Sequence, residues 1–180
     1  MRREFAAVIE VEMNGSEMFG PYIGSNIVAV LLLLAAFRWP RFVRWAFLVI
    51  FLAAGLFNAA TAISQPEAYL MYAEWTPVPQ YRDFILGSFS QNTTTFVLAI
   101  ALGQLFVGML LAIPRRVPLA LGVLGGSIFL AAIAPLGYGS AFPFSLITIA
   151  ALLVMYPRLA LSSEPAAETM IAIGTPAREA

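Results

Sequence analysis

Charge along this chain is gathered at a few stations, and the intervals between them are long and apolar. No charged residue interrupts Pro21–Phe37, centred on Leu31-Leu32-Leu33-Leu34, or Trp45–Ser64. A third charge-free interval, Phe84–Ile113, exceeds what a bilayer needs, so its first part is expected at the interface. Between Arg116 and Arg158 no charge occurs, and Pro135-Leu136-Gly137-Tyr138-Gly139 divides that stretch in two. About 20 apolar residues cross the hydrocarbon core as a helix. The pattern therefore predicts an all-α, multispan membrane helix bundle with five transmembrane helices, at about 21–37, 45–64, 93–113, 117–135 and 141–157. A four-span alternative sets the first segment aside as a peripheral helix.

The remaining segments are expected to be a tail over 1–20, a lid over 65–92 and a flexible tail over 159–180. A signal peptide is not expected, because Glu4, Glu10 and Glu12 stand where its apolar run would have to be. Within the lid, Pro66–Trp75 reads as a short helix. Thr76-Pro77-Val78-Pro79 ends it, since a proline disfavours helix in the residue before it. Asn92 reads as the N-cap of the third span.

Arginine placement supplies an orientation. Arg38, Arg41 and Arg44 lie between spans one and two, Arg115 and Arg116 between three and four, and Arg158 after five. In a five-span chain these fall on one side, which the positive-inside rule assigns to the cytoplasm. The N-terminus and the lid are then outside, and the lid carries Glu67, Glu74 and Asp83 against Arg82 alone. Trp39, Trp45, Trp75, Tyr69, Tyr72, Tyr81 and Tyr156 cluster near span ends, as an aromatic belt does. A bacterial inner membrane is the expected location.

Composition narrows the chemistry. Of 180 residues, 61% are hydrophobic and 11% charged, with a mean hydropathy of +0.85. Soluble domains carry about 25% charged residues, so that class is set aside. His and Cys are absent, which removes thiolate nucleophiles and the usual ligands of haem, copper and catalytic zinc. No intrinsic cofactor is expected. All ten basic residues are Arg, balanced by ten acids, and a zero net charge points to no nucleic-acid partner.

Inside the spans no acid or base remains, which argues against a proton-driven pump built from this chain alone. The polar groups left include Asn26, Asn58, Thr61, Gln104, Ser127, Ser145 and Thr148. Asn58 and Gln104 are the most expensive to bury and should face the bundle interior, either as an interhelical hydrogen bond or gripping a polar head group such as a quinone carbonyl. A sharper reading adds the lid and the span-four/span-five hairpin as the walls of an outward cavity. Its ligand-binding candidates are Asn58, Glu74, Tyr81, Arg82, Gln104 and Ser140. Gly122 and Gly126 have GxxxG spacing, and Gly103 and Gly108 lie near Ala99; both suit close helix packing, within the fold or in a homodimer.

Short motifs carry a family resemblance. Phe51-Leu52-Ala53-Ala54-Gly55-Leu56-Phe57-Asn58, Pro66-Glu67-Ala68-Tyr69 and Trp75-Thr76-Pro77 resemble the early part of DoxX-like membrane proteins. Gly103-Gln104-Leu105-Phe106-Val107-Gly108-Met109-Leu110-Leu111, followed by Pro114-Arg115-Arg116, resembles that family's later G-E-x-x-x-G-x-x-L helix and basic loop. Gln104 stands where the family often has Glu, so any role needing a charge there is not carried over. The resemblance covers about 41–156 and implies a four-helix core with one added N-terminal helix. It also implies links to membrane redox complexes, thiosulfate or quinone chemistry, or chaperone-like roles. Three functions follow as expectations: an accessory or scaffold subunit beside a membrane or redox protein, a binder or carrier of a small lipophilic molecule (quinone, lipid or sterol-like), and, last, a quinone-linked oxidoreductase subunit.

Overall fold

A computed structural model describes residues 2–161, with side chains from Gly20 to Ala160. Helix α1 (Arg2–Arg38) leads directly into α2 (Pro40–Ser64). The only break is Trp39, at φ −133° and ψ 61°. Pro40 forces it: the pyrrolidine ring disfavours helical backbone in the preceding residue, yet suits the first position of the next helix. After Ser64 come a 3-10 turn (Pro66–Met71) and two short helices, α3 (Tyr72–Trp75) and α4 (Pro79–Phe84). A π-type turn (Ile85–Phe89), kinked at Gly87, then leads into α5 (Thr93–Ala112). Helix α6 (Arg116–Ile133), a 3-10 segment (Ala134–Ser140) and α7 (Phe144–Leu161) complete the described chain.

Among the described residues there is no strand, and the fold is an all-α membrane bundle. Four helical stretches have the length and apolarity to cross a bilayer: Gly20–Arg38, Pro40–Ser64, Thr93–Ala112 and Arg116–Ser140. The fifth apolar helix, Phe144–Ala160, is shorter. Its 17 residues rise about 26 Å, against a hydrocarbon core of about 30 Å. Helix α1 takes in the stretch expected as an N-terminal tail, and α7 runs past residue 159. The rest of the expected C-terminal tail lies outside the described residues.

The helices do not pack in sequence order. Helix α1 lies chiefly along α7, α7 along α6, α6 along α5, and α5 along α2, with α2 also touching α7 and α1. Each helix turns a stripe inward at spacings of three and four residues. In α2 the stripe is Val43, Phe47, Phe51 and Gly55; in α7 it is Ser145, Thr148, Leu152, Met155 and Leu159. At one end of the bundle Val43, Phe47 and Phe51 of α2 and Leu152, Met155 and Leu159 of α7, with Leu32 and Ala36 of α1, Val107 and Leu111 of α5 and Val123 of α6, form one apolar core. The first apolar segment is thus part of the core, not peripheral to it.

Small residues set how closely the helices approach. A Cβ on Gly55 would come within 2.9 Å of the Leu105 side chain, and one on Gly108 within 2.8 Å of Leu52, so α2 and α5 are drawn tight by glycines on both sides. The GxxxG pair of α6 also serves within the fold: Gly122 abuts Leu111, and Gly126 abuts Phe51 and Leu152. Gly103, by contrast, faces outward with open space around it.

The up-and-down topology leaves the two ends unlike. One gathers Arg38, Arg41, Arg44, Arg115, Arg116 and Arg158 and is called the arginine end below; the other carries the lid.

Candidate functional site

A second, smaller core lies under the lid: Ala62 of α2, Ala73 of α3, Ile85 and Phe89 of the π turn, and Val97 of α5, flanked by Tyr69, Tyr72 and Leu136. Between the two cores, α2 and α5 present their amides. Asn58 Nδ2 donates to Gln104 Oε1 at 2.7 Å, with Gln104 only 4% exposed near the middle of α5. The lid joins this pair through Tyr69, whose hydroxyl donates to Asn58 Oδ1 at 2.9 Å and lies 3.3 Å from the Asn58 backbone oxygen. The result is a chain of three side chains, Tyr69 to Asn58 to Gln104, in an otherwise apolar layer.

Burial pushes the Tyr69 phenol above the usual tyrosine range, with a hydrogen bond to Thr61 partly offsetting it. Tyr72 is pushed up by burial as well. Both hydroxyls are therefore neutral over the physiological range, as suits groups taken out of water.

The lid is fastened elsewhere by side chains that reach backbone carbonyls. Thr76 Oγ1 donates to Pro135 O at 2.7 Å and Tyr81 Oη to Ala132 O at 2.9 Å, while beneath the lid Thr94 Oγ1 of α5 donates to Ala62 O of α2 at 3.1 Å. An aromatic train crosses the top of the bundle. Tyr69 meets Tyr72, Tyr72 and Trp75 pack edge to face, Trp75 does the same with Tyr138, and Tyr138 stacks on Tyr22 of α1 at 4.8 Å. Tyr22 in turn donates to Phe142 O, and Asn26 Nδ2 to Ala141 O. The α6–α7 loop brings Tyr138 into this train only because the residues on either side of it, Gly137 and Gly139, have no side chain. Gly137 has φ +61°, and a Cβ on Gly139 would lie 2.3 Å from the Tyr72 ring.

Of the six candidates read from the sequence, Asn58 and Gln104 come together. Tyr81 stands apart as a clamp on α6, and Ser140 is buried in the α6–α7 loop, donating to Gly137 O at 3.1 Å. Glu74 and Arg82 lie exposed on the lid surface. Asn92 occupies the N-cap position of α5, but its side chain makes no capping bond, which corrects the sequence expectation. Thr93 Oγ1 instead bonds back to Phe89 O, tying the helix start to the π turn.

Among the described residues, two surface grooves stand out, and neither is lined by the amide pair. One, of about 400 Å³, lies at the lid rim against Glu67, Leu70, Gln91, Asn92, Thr94 and Thr95. The other, of about 330 Å³ and almost wholly apolar, runs along α1 at Tyr22, Ile23, Asn26, Ile27, Val30 and Leu31. Among the described residues no group of three or more acidic side chains could hold a metal ion. A quinone carbonyl placed at the pair would need a donor there. The Tyr69 hydroxyl proton and one Asn58 amide proton go to protein oxygens, both side-chain amide oxygens of the pair already accept a bond, and neither groove is lined by the pair. As arranged, the network fits a structural hydrogen-bonded joint better than it fits that group.

Comparisons with protein-family models, with characterised proteins and with solved structures each find no match. The functional reading therefore rests on the residues themselves.

Proposed function

We propose that this chain is an accessory or scaffold subunit of a membrane complex, a DoxX-like bundle in a bacterial inner membrane with its arginine end in the cytoplasm. The observation that carries this reading is the Asn58–Gln104 bond. The two amides best suited to hold a ligand bond to each other, neither surface groove is lined by them, and Tyr69 bonds to Asn58 from the lid. Positive-inside bias supports the orientation. The partner is a membrane or redox protein, or a second copy of the chain. The test is purification of the full chain from native membranes in mild detergent. A second protein, or a second copy of the chain, at fixed stoichiometry is expected; a monodisperse monomer that retains its full cellular role ends the reading.

A second reading, a binder or carrier of a small lipophilic molecule such as a quinone, lipid or sterol, is favoured by the apolar groove on α1. There Asn26 keeps a buried side-chain oxygen without a partner among the described residues. Mass spectrometry of gently purified protein would show one bound species, lost in Asn26→Leu. A quinone-linked redox role ranks third, and a quinol turnover assay by absorbance decides it.

A further inference from the structure

We propose that the arginine end of the bundle binds anionic phospholipid, its guanidinium groups taking the phosphodiester headgroups. Six arginines meet there from four directions: Arg38 at the end of α1, Arg41 and Arg44 in the first turns of α2, Arg115 and Arg116 at the start of α6, and Arg158 near the end of α7. Between residues 20 and 160 the only carboxylates are Glu67, Glu74 and Asp83, all on the lid at the opposite end. Between residues 20 and 160, therefore, no carboxylate stands at the arginine end.

The geometry holds these charges at the surface. Arg38, Arg41, Arg115 and Arg158 are exposed. The Arg158 guanidinium sits 4.8 Å over the Phe37 ring, and its Nη1 donates to Val154 O at 3.0 Å, which fixes α7's charge beside the end of α1. A guanidinium carries five N–H donors in a fixed fork, so that bond leaves most of them for a ligand, and the fork matches two oxygens of a phosphodiester.

Apolar neighbours choose between a lipid and a soluble anion. Phe37, Trp39, Phe42, Trp45 and Val117 alternate with the arginines and are all at least half exposed, from 52% at Trp45 to 68% at Val117. A free phosphate or a soluble polyanion meets the guanidinium groups alone and makes no use of those side chains. A phosphate that carries acyl chains satisfies both. The inference holds whichever side of the membrane this end faces, and it does not depend on a protein partner.

The test reconstitutes the full chain in phosphatidylcholine vesicles holding a minor fraction of phosphatidylglycerol. Small lipid discs are then extracted around the protein and their lipids counted by mass spectrometry. Phosphatidylglycerol should be enriched around the wild type by at least about fivefold, the factor one arginine supplies near a headgroup layer. The double substitution Arg41→Gln, Arg44→Gln should cut the enrichment severalfold. Arg41→Lys, Arg44→Lys should keep most of it, which separates charge from a general loss of structure. Arg82→Gln, at the lid end, should leave it unchanged. Discs with the vesicles' own composition, equal loss in Arg82→Gln, or displacement by millimolar inorganic phosphate would each overturn the proposal.

Discussion

Asn58 and Gln104 meet side chain to side chain, 2.7 Å apart, where two glycine-lined helices pass closest. The bond ties α2 to α5 in an otherwise apolar layer that the Tyr69 hydroxyl joins from the lid, so the amides compensate each other for leaving water. Replacing one strands its partner, whereas replacing both leaves an apolar α2–α5 contact in which the Tyr69 hydroxyl keeps the backbone oxygen of residue 58 as its acceptor. Gln104→Leu and Asn58→Leu should each destabilise the bundle by about 1–2 kcal/mol. The double variant should lose less than the sum, with a coupling on the order of 1 kcal/mol. Reversible unfolding in detergent micelles measures the cycle, and additive losses would deny the bond.

The α2–α5 contact is sensitive to one added methyl group. Gly55→Ala places its Cβ between Leu105, at 2.9 Å, and the Ala101 backbone oxygen, at 3.0 Å. Overpacking of this kind costs about 1–3 kcal/mol. Gly103→Ala, on the same helix pair but facing open space, should hold or raise stability, since alanine is the better helix former. Thermal melts of the two variants side by side give the contrast.

The loop between α6 and α7 is where the lid is most easily unseated. A Cβ at Gly139 would lie 2.3 Å from Tyr72 and 3.1 Å from Trp75. Gly139→Ala should raise amide hydrogen exchange across Tyr72–Phe84 by tenfold or more, about 1.4 kcal/mol of lost protection, while α2 and α5 stay protected. Uniform exchange throughout would show that lid and bundle open together.

Alkaline pH should loosen the lid. Burial raises the Tyr72 phenol above its ordinary value of 10.0, so its neutral form is favoured in the folded state. The unfolded chain ionises first, which means stability is full below about pH 10 and falls as pH climbs through the folded value. Tyr72→Phe keeps the ring packing and should flatten that fall in melts followed by circular dichroism. An unchanged alkaline profile in the variant would place the sensitive group elsewhere.

How much of this was legible in the residues depends on what each residue answers to. The spans followed from where charge is absent, a property of the bilayer that needs no knowledge of packing. The inward faces did not, because the outward faces are as greasy: Phe57 is 69% exposed and Leu102 68%, while Phe51 is 3% and Val97 2%. Hydrophobic periodicity carries little information when lipid surrounds the fold. Asn58 and Gln104 stood out singly because amides are expensive in hydrocarbon, but their meeting depends on the α2–α5 register that Gly55 and Gly108 set. Tyr69 read as one belt aromatic among several, since only the reversal after Ser64 brings its hydroxyl down to Asn58. Tyr81 and Thr76 were opaque for another reason. Their acceptors are the backbone oxygens of Ala132 and Pro135, which no side-chain pattern displays.

The chief neighbour of α1 is α7, and side-chain bonds from α1 reach the loop that leads into it, joining residues more than a hundred positions apart, as with Asn26 and Ala141, 115 residues on. During synthesis, then, the first helix enters the membrane with its principal contact surface waiting for a helix the ribosome has yet to make. Closure of the bundle is a late event: α7 arrives and slots between α1 and α6. A chain halted before Phe144 would leave Ala29, Leu32 and Ala36 facing lipid, in a form suited to capture by quality-control machinery.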